Sequence, residues 1–198
     1  MTSILKADDI QDSSGNNIIN ESGDTITIGA SGDTITIPSG ATLSNLGTAS
    51  GFNTPAFQAK LGSDQTVTND TNTKVQIDTE IFDTDNCFDN STNYRFTPNV
   101  GGKYMVYGSV RGGADANLTN LEKVMTHIQK NGSLYESMYW RLDLRNNPGT
   151  QLSTSFSVII DLDGSSDYIE LFSNVDVSSD TPNFVSDGTF FGAYRIGA

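Results

Sequence analysis

The residues best suited to chemistry in this chain are carboxylates gathered at turns. Asp83, Asp85 and Asp89 lie close together beside Asn86, and Asp161, Asp163 and Asp167 do the same around Gly164. Hard oxygen ligands on a flexible turn are what Ca2+ coordinates, which makes Asp83, Asp85 and Asp89 the candidate metal site. Neither run follows the EF-hand loop pattern, and Asp163-Gly164 reads equally well as a plain turn. His127 is the single histidine and falls in an alternating stretch with Val124, Thr126 and Ile128. With no nucleophile or acid beside it in sequence, it reads as a strand residue rather than a general base. Cys87 is the single cysteine, so no internal disulfide framework exists, and without a nearby histidine it is a poor nucleophile. There is no phosphate loop, no zinc spacing and no carboxylate pair of the glycosidase kind. The chain therefore reads as a non-enzyme with no catalytic residues and no cofactor, Ca2+ being the one candidate ion.

The stretch Tyr135–Leu144, YESMYWRLDL, groups Tyr139, Trp140 and Arg141, a composition favoured at binding hot spots. These three are the candidate ligand surface, with an ordinary aromatic-rich strand as the alternative.

Charge narrows the partners. Lys and Arg total 11 against 24 Asp and Glu, a net charge of −13. Up to Pro55 there are six acids and one base, −5, and the remaining 18 acids and ten bases give −8. No basic patch stands in either part, which argues against binding nucleic acid through its phosphates. Such acidity keeps an abundant protein soluble. The opening MTSILKADDIQDSSG has no apolar signal-peptide core, and no stretch is apolar enough to span a bilayer, so no membrane partner is expected.

Low apolar content, 35%, together with 19 Gly points to a turn-rich β protein. Only Leu118–Gln129 could make a helix. Alternating segments fall at Thr73–Phe82, Lys103–Val110, Val124–Lys130, Ser153–Leu162, Tyr168–Asn174 and Thr189–Ile196. Turn clusters separate them at Asp83–Asn86, Asn99–Gly102, Lys130–Gly132, Asn146–Gly149 and Asp163–Ser166. Strands at this spacing without intervening helices predict a two-sheet sandwich or jelly roll, with Phe96, Phe156 and Phe190 as its core.

The N-terminal part has another grammar. Ser-Gly recurs at Ser14, Ser22, Ser31 and Ser39, and the heptamer SGDTITI occurs twice, at Ser22–Ile28 and Ser31–Ile37. Each rung offers about two apolar side chains, too few for independent stability. The rungs could stack within one chain, be pooled by three chains, or remain a solvated arm until something holds them. Residues 47–55, GTASGFNTP, mark the boundary, so residues 1–55 form an arm and residues 56–198 the folded domain.

The second part resembles the jelly-roll superfamily of complement globular heads and tumour necrosis factor. CFDNSTNYRFTPNVGGKYMVYGSV carries Phe88-Asp89, Phe96 with Pro98, Gly101-Gly102, Tyr104 and Tyr107 in that family's order. IQKNGS at Lys130–Gly132, the unit around Gly164, Asp167 and Tyr168, and TFFGAYRI with Phe191-Gly192 continue the likeness. Thr97 stands where family members often carry cysteine, and no collagen-like stalk precedes the domain. The arm instead resembles N-terminal arms of small structural proteins of tailed bacteriophages.

These resemblances imply an all-β, trimeric jelly-roll β-sandwich head preceded by a short N-terminal arm of β rungs. They imply that Phe57, Tyr104, Tyr107, Tyr168, Phe191 and Tyr194 line either a trimer interface or the core. They imply that Ile18, Ile26, Ile28, Ile35 and Ile37 belong to an arm anchored on the major capsid protein or another virion protein. The expected function is a capsid decoration (cement) protein of the virion, made in the host cytoplasm. The alternative is a head or tail fibre whose tip binds a host receptor or glycan.

Overall fold

Alternation of apolar and polar side chains builds strands throughout the computed structural model, and no helix occurs among the described residues. Those residues are 9–11, 13–15, 17–22, 25–29, 31–42, 53–114, 121–141 and 151–197. The chain divides into two compact units, Met1–Ala49 and Ser50–Ala198.

The first unit is a small antiparallel meander of β1 (Asp9–Gln11), β2 (Asn17–Ser22) and β3 (Thr25–Ile28). Its register sets Ile10 opposite Ile19 and Ile19 opposite Ile28, so one row of isoleucines crosses all three strands. The first SGDTITI supplies β3, whereas Thr34–Ile37 of the second carries no strand. Identical local sequences thus differ, and among the described residues only the first is paired with another strand.

The second unit is a sandwich of two antiparallel six-stranded sheets. Its strands are β4 (Ala56–Lys60), β5 (Gln65–Thr66), β6 (Thr73–Lys74), β7 (Thr79–Asp83), β8 (Phe88–Asp89) and β9 (Arg95–Phe96). They are followed by β10 (Gly102–Ala114), β11 (Leu121–Lys130), β12 (Ser133–Arg141), β13 (Gln151–Leu162), β14 (Ile169–Val177) and β15 (Pro182–Gly197). The first sheet runs β13-β10-β15-β4-β7 with β5 on β15, and the second β12-β11-β14-β9-β8 with β6 on β14. The expected all-β jelly-roll sandwich is the observed fold.

Two segments depart from the sequence pattern. The expected strand Thr73–Phe82 is broken, because β6 belongs to the second sheet and β7 to the first. The link between them crosses the sandwich edge with Val75 and Ile77 buried and Val75 N–H donating to Leu171 O at 2.9 Å. Within Leu118–Gln129, the helix-capable stretch, residues from Leu121 onward are strand β11, flanked by β12 on one side and β14 on the other. Pairing on both edges outweighs a weak local preference.

The core closes on Phe57. Phe88 and Phe96 stack against it with ring centroids 4.4 and 4.6 Å away, and Phe191 meets it edge-on at 5.2 Å. Burying each ring contributes about 1.5–3 kcal/mol. Thr126 and Thr154, both buried, satisfy their hydroxyls on each other across the two sheets. Asn131 and Gly132, with φ of 53° and 74°, make the tight β11–β12 turn that the Asn-Gly pair foretells. At Gly164 a Cβ would sit 2.1 Å from Gly101 N, so the β13–β14 turn can pack on the turn before β10 only with glycine there.

Candidate functional site

Directly paired residues in an antiparallel sheet share a face, and the outward face of the first sheet is unusually aromatic. One row across it sets Ser157, Tyr107, Gly192, Gln58 and Phe82 side by side. The row on one side holds Ile159, Met105 and Tyr194, and the row on the other Ser155, Ser109, Phe190 and Lys60. Tyr107 sits at the centre, with Phe190 and Tyr194 at 6.4 and 6.3 Å between ring centroids. The end of its ring lies against Gly192, and its hydroxyl donates to Gln58 Oε1 at 3.5 Å. Burial, and secondarily Tyr194, pushes the Tyr107 hydroxyl pKa above its ordinary value, so it remains a neutral donor. Beside this face runs an open groove lined by Gln58, Lys60, Ile81, Ser186, Asp187 and Phe190.

A second apolar patch lies at one edge of the sandwich, where the two sheets' edge strands β12 and β13 adjoin. Leu134, Tyr135, Met138 and Ile159 are exposed there, and Tyr135 hydroxyl donates to Ile159 O at 3.4 Å. Exposed apolar side chains gathered on one part of a folded domain make that part a candidate interaction surface.

The residues singled out in the sequence separate into distinct places. Phe57, Tyr104 and Phe191 are fully buried between the sheets and belong to the core, whereas Tyr107 and Tyr194 lie on the outward face. Tyr104 donates its hydroxyl to Val100 O at 2.5 Å, and burial pushes its pKa up to about 12. Tyr168 precedes β14 of the second sheet, with the Arg95 guanidinium 4.5 Å over its ring. Phe190, expected in the core, faces outward beside Tyr107. The signal was present: Phe190 and Phe191 are adjacent on a strand and must point to opposite faces. Gln58, Met105 and Ile159 also belong to the face, but their types alone could not announce it. Tyr139, Trp140 and Arg141 fall on edge strand β12, with Met125, Val124 and Lys123 as their Cα partners on β11. In the arm, Ile18, Ile26, Ile28, Ile35 and Ile37 are all exposed.

The carboxylates serve turns instead of converging on an ion. Asp83 accepts from Asp85 N–H at 3.2 Å and from Phe88 N–H at 2.7 Å. Asp89 accepts from the N–H groups of Ser91, Thr92 and Asn93 and from the Asn93 side chain, at 2.7–3.1 Å. The Thr92 and Ser91 N–H groups hold the Asp89 carboxyl far below the usual carboxylate range. Asp85 accepts from the Thr84 hydroxyl. Among the described residues, no three His, Cys, Asp or Glu side chains are arranged to hold a metal ion, so the expected cluster of Asp83, Asp85 and Asp89 does not form. Asp163 closes its own turn in the same way, through Ser165, Ser166 and Asp167 N–H groups.

His127 is 6% exposed, and neither ring nitrogen has a hydrogen-bond partner among the described residues. Burial, then Lys123, lowers its pKa from the ordinary 6.5, which keeps it neutral. Burial likewise raises the Cys87 thiol, whose Sγ donates to Asp85 O at 3.6 Å. A thiol held protonated is a weak nucleophile.

No protein-family model and no curated protein matches the chain. Among solved structures it is similar to Eiger TNF from S. frugiperda, at 8% identity and TM-score 0.50, over 71% of this chain and 90% of that one. It is similar to the globular domain of zebrafish complement 1qA protein, at 13% identity and TM-score 0.50, over 72% and 96%. It is similar to murine APRIL at pH 5.0, at 11% identity and TM-score 0.51, over 71% and 97%. At such identities the likeness is one of fold. The second unit has the jelly-roll fold of these structures.

Proposed function

We propose that the protein is a non-enzymatic, homotrimeric surface protein of a virion, acting as a capsid decoration protein. The observation that carries the assembly is that the face around Tyr107 and the β12–β13 edge around Leu134 and Met138 both leave apolar side chains exposed. Each protomer offers its edge to the next one's face, a heterologous contact that closes into a ring if the rotation is right. The family resemblance supports a three-fold ring. The resemblance of residues 1–55 to phage arms supports the decoration role, as do the exposed isoleucines of the meander, which suit an arm gripped by another protein. Three arms on one trimer then multiply individually weak contacts with the shell.

Light scattering at micromolar concentration tests the first step: three times the chain mass is expected, and a monomer refutes it. Copy number per particle, measured by quantitative mass spectrometry against the major capsid protein, tests the second. Hundreds of copies fit decoration. A handful would favour the fibre reading, with Tyr139, Trp140 and Arg141 on edge strand β12 as candidate receptor contacts.

A further inference from the structure

The arm contains one strand-forming sequence twice, and among the described residues only one copy is paired with another strand. Thr25–Ile28 is β3, held to β2 through Ile28–Ile19, Thr27–Asn20, Ile26–Glu21 and Thr25–Ser22. β3 is the last strand of its sheet, so its far edge is open among the described residues. Thr34–Ile37 repeats the same four residues outside any strand. Ile26, Ile28, Ile35 and Ile37 are 68, 56, 59 and 49% exposed, values foreign to isoleucine in a finished sheet.

An open strand edge and an unpaired strand of identical sequence complement each other in main chain and side chain alike. Side by side in parallel, they set Ile26 by Ile35, Thr27 by Thr36 and Ile28 by Ile37. Antiparallel, they set Ile26 by Ile37, Thr27 by Thr36 and Ile28 by Ile35. Both directions keep isoleucines on one face and threonines on the other, and both put Thr27 opposite Thr36. Both also extend the row Ile10–Ile19–Ile28 by a fourth isoleucine. Within one chain the pairing is not made: Gly29 N–H continues the β2 ladder by donating to Ile18 O at 2.8 Å, and Ser31-Gly32 then turns the chain.

We propose that Thr34–Ile37 of one chain adds to the β3 edge of a second copy, so that neighbouring arms exchange strands around the oligomer. A second copy is favoured over a foreign partner because the sequence already forms a strand beside this arm's own β2, and the exposed segment is that sequence again. A three-stranded meander this small needs such company to persist. The inference rests on the homotrimer reading and specifies how its arms are joined.

The test uses the full chain with Cys87→Ser, Thr27→Cys and Thr36→Cys, which leaves the two introduced thiols alone. Facing residues in paired strands lie within disulfide reach. Mild oxidation is expected to shift most chains to two- and three-chain mobility on a denaturing gel, reversed by reductant. Thr27→Cys or Thr36→Cys by itself is expected to stay single. Equal cross-linking by either single variant would mean random collision and overturn the pairing. A single chain with both thiols consumed would reveal an intramolecular hairpin and overturn it as well. Free thiols in a protein that light scattering still finds trimeric would overturn the strand exchange while sparing the head's assembly, leaving the arm to another virion protein. A monomeric mass overturns both.

Discussion

Gly192→Ala separates the stability of the sandwich from the surface it carries. A Cβ at Gly192 would lie 2.5 Å from Tyr107 Cζ and 2.6 Å from its hydroxyl oxygen. Ordinary contact is about 3.5 Å, so the tip of the tyrosine must lift by roughly 1 Å. The backbone need not move, because the obstacle is the far end of a side chain with solvent above it. Alanine also suits a strand better than glycine, by about 0.5–1 kcal/mol. The folded protomer should therefore keep its unfolding midpoint to within about 4 °C. Assembly should suffer, since the lifted ring loses Gln58 at 3.5 Å and leaves its packing against Phe190 and Tyr194. A displaced aromatic at the centre of an interface costs on the order of 1–2 kcal/mol. Three symmetric interfaces make that about 3–6 kcal/mol, or roughly 10^2–10^4-fold in trimer dissociation. Sedimentation equilibrium from nanomolar to micromolar protein, with melting followed by near-UV circular dichroism, reads both quantities. Unchanged dissociation, or a collapsed midpoint with assembly intact, would refute the reasoning.

Further outcomes follow from the core, the histidine and the carboxylates. Phe57→Ala should cost about 3–5 kcal/mol in chemical denaturation, because Phe88, Phe96 and Phe191 all lose their common neighbour. His127 has a depressed folded pKa, so below its ordinary 6.5 the unfolded chain takes up a proton that the folded one does not. Stability should fall as pH drops through that value, and His127→Leu should flatten the slope in melting curves between pH 7 and 5 (a range set by unperturbed histidine, roughly 6.5). Asp89 acts in a lower window: its depressed pKa contributes stability above the ordinary 3.8 that is lost on further acidification, and Asp89→Asn should reduce that acid-limb loss. Calcium or EDTA should leave the unfolding midpoint unmoved in calorimetry, because Asp83 and Asp89 spend their oxygens on their own turns.

Local chemistry wrote much of this protein plainly. Alternation placed strands at Lys103–Val110, Ser153–Leu162 and Thr189–Ile196, and the Asn131-Gly132 and Asp163-Gly164 turns stand where their dihedral demands put them. Period and turn are properties of neighbouring residues, and a chain carries them before it folds. The jelly-roll signals around Phe88, Phe96 and Tyr104 were readable for the same reason, since these are the sandwich's own packing residues. Charge, too, is simply additive along the chain.

Long-range contact settled the rest. Alternation says which aromatics share a face but not which face another sheet will cover, so Tyr107 and Phe57 looked alike until the sheets stacked. The split of Thr73–Phe82 depends on β6 and β7 joining opposite sheets, a choice made by β14 and β4 far away in sequence. Whether Asp83, Asp85 and Asp89 could meet an ion depended on the three-dimensional aim of their oxygens, and backbone N–H groups within their own turns captured Asp83 and Asp89. The two SGDTITI copies make the point most sharply: one sequence is a strand beside β2 and the same sequence without a partner is not, because a strand's hydrogen bonds are made by another strand.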